Sequence, residues 1–137
     1  MGFEIAIYKP KFIANLGIVL RSAQCFGADA INLIGHRYKK RVCTDTMNTA
    51  RHVPVKCYDK LEDMVKDKYG MDIIAAEVDG EDIDTFNHPD NCIYVFGGED
   101  MSVPSDIAMR IKINTDYCIN VAMAVSIVCF HRKLRQT

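Results

Sequence analysis

The chain has 137 residues, of which 49% are hydrophobic and 26% charged, and its formal net charge is −1. These values fit one globular domain over residues 1–137 and exclude a disordered, collagenous or low-complexity chain. No apolar run reaches the roughly 18 residues of a membrane-spanning helix, and the near-neutral charge leaves any nucleic-acid surface to local basic clusters.

Phe3–Tyr8 (FEIAIY) alternates and predicts a strand. Residues 13–26 predict a helix: Ile13, Leu16, Leu20 and Ala23 recur at helical spacing with Val19 and Phe26 beside them, and Gly27 is placed to end it. Residues 30–34 predict a short strand. Residues 36–52 are polar, basic and aperiodic, a long loop of the kind that carries function. Residues 53–58 predict a strand, 61–69 a helix, and 71–78 (MDIIAAEV) a strand buried on both faces. An acidic loop is expected over 79–91, a strand over 92–96, a short helix over 104–109 with Pro104 at its start, and a strand over 110–113. The final helix is expected from Asn120 to about Leu134, with Val121, Ala124, Val125 and Val128 on one face. Helices alternating with short, continuously apolar strands predict an α/β domain with a mainly parallel sheet and helices on both faces. Ligands in such sheets bind beyond the C-terminal strand ends.

The six cysteines form no C-x-x-C pair and read as reduced, buried hydrophobes. No His, Cys or Asp set has metal-ligand spacing, so no metal is expected. The start, MGFEIAIYKPK, lacks the basic flank and long apolar stretch of a secretory signal, which makes the cytoplasm the expected compartment. Two basic clusters, His36–Arg41 (HRYKKR) and His131–Arg135 (HRKLR), are candidate nucleic-acid contacts, though such a cluster alone is more often a solvated face.

Three further segments stand out. Asn15–Ile34 places Arg21 on the opening helix, followed by the small residues Ser22 and Ala23. Val95–Asp100 (VFGGED) puts Gly97 and Gly98 at a strand end, where the backbone can turn sharply and approach a ligand. It matches neither a dinucleotide fingerprint nor a Walker loop, which leaves a flavodoxin-like nucleotide-binding module without support. Ile113–Phe130 places Asn120 as an N-cap before an apolar helix. Taken singly, these are a surface arginine, a tight turn and a cap.

In this order and spacing the three resemble the motifs of the SpoU/TrmH branch of the SPOUT RNA methyltransferases. N-x-G-x-x-x-R-[ST]-A is matched by Asn15, Gly17, Arg21, Ser22 and Ala23; F-G-x-E by Phe96, Gly97 and Glu99; and [SC]-x-N-V-x-x-A by Cys118, Asn120, Val121 and Ala124. The resemblance covers almost the whole chain. It implies a C-terminal trefoil knot (the SPOUT or α/β-knot fold) and a homodimer with active sites at the subunit interface. It also implies S-adenosylmethionine as cofactor and ribose 2′-O-methylation of RNA, with tRNA favoured over rRNA. It links Arg21 to catalysis, with Asn15, Glu99 and Asn120 nearby, and sets the cofactor against Ala76, Gly97, Gly98, Ile113, Cys118 and Ile119. The chain departs from the family pattern at Ser102, where a glycine is usual, at Asn114, where a proline is usual, and at Cys118, where many members have serine. Those departures keep a second reading open: a non-catalytic RNA-binding or S-adenosylmethionine-binding protein on the same fold.

Overall fold

The computed structural model describes residues 2–11, 13–35 and 53–136, so the expected loop over 36–52, with its basic cluster, lies outside the described residues. The elements in chain order are β1 (Phe3–Tyr8), α1 (Ile13–Phe26), β2 (Ile31–Ile34), β3 (Val55–Tyr58), α2 (Leu61–Asp67), β4 (Asp72–Asp82), a 3-10 turn (Ile83–Thr85), β5 (Cys92–Gly97), β6 (Met109–Lys112) and α3 (Val121–Arg135). The strands form one six-stranded sheet in the order β3-β2-β1-β5-β4-β6. Every pairing is parallel. None of the described helices is long and apolar enough to cross a membrane.

Alternate residues of each strand serve opposite faces, and each face has its own core. On one face Ile5, Ile7, Ile31, Leu33, Tyr94 and Phe96 pack against Leu16, Val19 and Ala23 of α1 and Val121, Val125 and Val128 of α3. On the other, Ala6, Ile34, Ala75, Ile93 and Val95 pack against Leu61 and Met64 of α2 and against Val103 and Ile107. The helical spacing read for α1 therefore marks the side that is buried. Gly27 ends this helix at φ +79, a left-handed conformation that suits glycine.

Three expectations are corrected. First, β4 runs to Asp82 instead of ending at Val78: after an irregularity between Ala76 and Glu81 it pairs with β6 again, Glu81 beside Ile111 and Asp82 beside Lys112. Only Ile74 and Ala75, near its start, are fully buried, and Val78 is exposed. Gly80 permits the second approach, since a Cβ there would lie 2.4 Å from the Ile111 backbone. Second, residues 104–109 are a turn running into β6, with no helix. The Arg110 guanidinium takes the Pro104 carbonyl (3.1 Å), which a helix would have used within its first turn, and the Ile107 carbonyl (3.2 Å), and also holds Asp79 at 2.9 Å. Third, the cysteines are not uniformly buried: Cys92 and Cys129 are, whereas Cys25, Cys57 and Cys118 are exposed. Burial pushes the Cys129 thiol up to about 12, so it stays protonated.

Candidate functional site

The site is built where β1 and β5 end side by side. After Tyr8 the backbone turns through Lys9, at φ 55, and the Lys9 amide donates to the Ile34 carbonyl at 2.7 Å. The Gly98 amide in turn donates to the Tyr8 carbonyl at 2.7 Å. A Cβ on Gly98 would lie 2.2 Å from the Lys9 oxygen, and one on Gly97 would lie 2.1 Å from the Met101 oxygen. The two glycines are thus required by the protein's own backbone, which folds back over the strand end and delivers Glu99 to the start of α1.

Glu99 then joins the three motifs. Its Oε1 accepts the Lys11 amide at 2.9 Å, and its Oε2 accepts Asn15 Nδ2 at 2.6 Å. Asn15 Oδ1 accepts Asn120 Nδ2 at 2.9 Å. Asn120 Oδ1 caps α3, accepting the amides of Ala122 (2.7 Å) and Met123 (3.3 Å). Asn120 is therefore both the helix cap that its sequence position suggested and a member of the site. Among the four candidate catalytic residues, one chain brings Asn15, Glu99 and Asn120 together.

Arg21 stands apart. It is exposed on α1, about 9 Å along the axis from Asn15 and on a different side of the helix. It makes no hydrogen bond to the other three. Ile18, one turn before it on α1, is a large exposed hydrophobic, and so are Met123, Ile127, Phe130 and Leu134 on α3. The spacing of the four α3 residues makes them one stripe. A bond between Ser22 Oγ and Ser126 Oγ, 2.6 Å long, holds the two helices side by side beneath it.

The candidate cofactor residues lie at neighbouring strand ends. Ala76 pairs with Phe96 on β5 and Ile111 on β6, Gly97 closes β5, and Ile113 follows β6. Residues 113–119, which include Cys118 and Ile119, belong to neither helix nor strand. Among the described residues, no backbone–backbone bond uses the amides of 114–119. Those groups are open to a planar, hydrogen-bonding ligand such as a purine. Ser102 needs no glycine, because Lys9 is the one non-glycine at positive φ among the described residues.

The basic cluster of the last helix is only partly a surface. Arg132 is 2% exposed and donates to the carbonyls of Pro89 (2.8 Å) and Asp90 (3.0 Å) and to Tyr94 Oη (3.0 Å). His131 Nδ1 meets His88 Nε2 at 2.7 Å, and His88 Nδ1 meets Tyr94 Oη at 2.6 Å. Burial, helped by the charges of His131, Arg132 and Arg135, lowers His88 from 6.5 to about 4. Burial also raises the Tyr94 phenol. Lys133 and Arg135 remain exposed for an external partner. A cleft of about 400 Å³ lies here, lined by Phe86, Asn87, His88, Leu134, Arg135 and Gln136, and includes none of the motif residues. Among the described residues no group of three His, Cys, Asp or Glu is placed to hold a metal.

Two contributors to the loop over the site went unread in the sequence. Glu77 Oε2 accepts the Val103 amide at 2.7 Å, and Arg110 fixes the turn that follows. The available signal was a glutamate directly after an apolar run (IIAA) within a strand.

The model of the SpoU rRNA Methylase family matches residues 2–130. The chain belongs to this family. No curated protein matches it in sequence. Among solved structures, this SpoU-family chain superposes on an AdoMet-bound rRNA methyltransferase from Sinorhizobium meliloti with a TM-score of 0.82 at 19% identity, covering 99% of this chain and 57% of that one. A TrmH-family structure from Porphyromonas gingivalis gives 0.82 at 22% identity, over 98% of this chain and 60% of that one. A structure solved for the 2-OH methylation of C/U34 on tRNA gives 0.80 at 20% identity, over 98% of this chain and 95% of that one. The SpoU-family chain thus spans less than two thirds of the first two and nearly all of the third. At these identities the likeness establishes the fold: a parallel sheet flanked by helices, as in SPOUT methyltransferases.

Proposed function

We propose that this chain is an S-adenosylmethionine-dependent RNA methyltransferase that acts on a ribose 2′-oxygen, with tRNA as its substrate, and works as a homodimer. The observation that carries this reading is the hydrogen-bonded series Glu99–Asn15–Asn120. It joins all three motifs across sequence separations of 84 and 105 residues, beside a segment whose amides make no backbone–backbone bond among the described residues.

The residues present fit the cofactor. The backbone of Ala76, Gly97, Ile113, Cys118 and Ile119 would hold its adenine, with Gly98 at the turn, and the bound sulfonium supplies an electrophilic methyl group. The task left to the protein is to place the ribose hydroxyl in line and manage its proton. Arg21 is a poor general base, because a guanidinium carries its charge as a delocalised cation and has no free lone pair to accept a proton. It serves instead to hold the neighbouring phosphate and stabilise the developing alkoxide, with the proton passing to that phosphate. Since Arg21 lies away from Asn15 within one chain, the site is completed by a second copy docked on the apolar stripe around it. Such a stripe is larger than scattered surface hydrophobics require. A trefoil knot over the C-terminal segment belongs to the same reading.

The tRNA preference rests on the likeness over nearly the full length of the C/U34 structure and on the accessibility of single-stranded loop nucleotides. Incubation of the protein with labelled S-adenosylmethionine and bulk tRNA, followed by nucleoside mass analysis, should reveal 2′-O-methylated nucleotides. Sedimentation should give twice the chain mass. Cofactor binding without transfer to tRNA or rRNA would establish the non-catalytic reading instead.

A further inference from the structure

Glu77 is the first residue beyond the Ala76–Phe96 pairing, where β4 leaves β5. Its carboxylate lies against the glycine turn: a Cβ on Gly97 would be 3.4 Å from Glu77 Oε2. That oxygen accepts the Val103 amide at 2.7 Å, a side-chain carboxyl oxygen on a part-buried backbone donor that would otherwise lose its partner. Val103 is buried at 3% exposure in the core on the α2 face. The Met101 amide closes a turn on the Gly98 carbonyl at 3.1 Å, and beyond Val103 the Arg110 guanidinium takes the carbonyls of Pro104 and Ile107. Glu77 and Arg110 therefore fasten the 98–107 loop to the two strands that border the cofactor residues. Ser102, where the family has glycine, sits between these ties in ordinary backbone conformation.

We infer that Glu77 is a positioning residue for the cofactor site. By holding the Val103 amide it fixes the loop over Gly97 in the shape that receives S-adenosylmethionine. The inference rests on the function proposed above. It needs an acceptor oxygen at this place and reach; it does not need the negative charge. Glu77→Gln keeps the acceptor, Glu77→Leu keeps the bulk without it, and Glu77→Asp keeps the charge but is one methylene short.

The test is calorimetry of S-adenosylhomocysteine binding to the four proteins, together with amide hydrogen exchange on the same proteins without ligand. Glu77→Leu and Glu77→Asp should bind about 10-fold more weakly than the parent, and Glu77→Gln within about 3-fold, the scale of losing or keeping one such bond. Exchange at Met101–Val103 should speed up in the first two and stay near the parent's in the third. Rescue by Gln separates positioning from general destabilisation, which affinity measured well below every melting temperature excludes directly. Should Glu77→Leu fail to fold, Glu77→Asp against Glu77→Gln decides. Parent-like affinity and exchange in the variants lacking the reach overturn the inference, as does Gln behaving like Leu. If the parent itself binds no S-adenosylhomocysteine, the proposed function falls, and exchange at Val103 alone judges whether Glu77 holds the loop.

Discussion

The two ends of α3 each carry a polar network, and they use their donors in opposite ways. At the start, Asn120 links the helix to Asn15 and Glu99 beside amides that, among the described residues, make no backbone–backbone bond. Near the end, Arg132 is sealed under the 88–92 segment, its donors directed at two carbonyls, the Tyr94 phenol and the Cys92 sulfur, its guanidinium over the Phe3 ring at 4.9 Å. A fully satisfied buried network holds a fold together, whereas a site must keep some capacity for a ligand. Sequence charge misleads about which is which. The most buried charge of the conspicuous basic cluster, Arg132, is internal scaffolding, and the uncharged asparagines lie at the candidate site.

The sharpest way to break this contrast is at Arg132. Arg132→Met should destabilise the fold by about 3–5 kcal/mol, because buried carbonyls lose their donors. Denaturant unfolding reads this directly, and binding of S-adenosylhomocysteine by the still-folded fraction should be unchanged. Arg21→Ala should do the reverse. Loss of an alkoxide-stabilising donor should slow single-turnover methylation about 100-fold, about 2.7 kcal/mol of barrier. Stability should move by less than about 0.5 kcal/mol. A parent-like rate would remove Arg21 from the reaction.

How much of this contrast could be read from the sequence differs by region. Continuous apolar strands and the buried sides of α1 and α3 are encoded in local periodicity, so the parallel sheet and its two faces were legible. Asn15, Glu99 and Asn120 were legible through motif spacing. The extra length of β4, the missing helix at 104–109 and the role of Glu77 were not. Each depends on a partner far along the chain: Asp79 with Arg110, Glu77 with Val103. The burial of Arg132 was hidden for the same reason, since neighbouring His131, Lys133 and Arg135 describe a solvated face.

Acid offers a subtler probe of the sealed end. In the unfolded chain His88 takes up a proton near 6.5, but in the folded protein only at about 4, so between these values the folded state holds fewer protons. The stabilisation from neutral His88 is complete above pH 6.5 and is lost as the pH falls to about 4. Allowing for solvent screening at this half-buried ring, the loss should be on the order of 1–2 kcal/mol. Stability curves of the parent and His88→Gln should converge on acidification; a constant gap would show that His88 does not titrate this way. The smallest effect is expected at Ser102→Gly. Ordinary backbone there means that glycine relieves no strain, so stability should fall by no more than about 1 kcal/mol through chain entropy, with S-adenosylhomocysteine affinity within about 2-fold. A marked gain in affinity would show that the serine impairs the loop.

The lateral packing of α1 on α3, tied at Ser22 and Ser126 across 104 residues of sequence, also sets an order of events during synthesis. The ribosome releases α1 early, with Leu16, Val19 and Ala23 facing outward until the sheet and then residues 121–135 arrive to cover them. Contacts this distant in sequence close slowly and leave apolar surface exposed meanwhile. A nascent chain halted before Val121 is therefore expected to be a chaperone client, and release of α3 is the moment at which this face of the sheet can close.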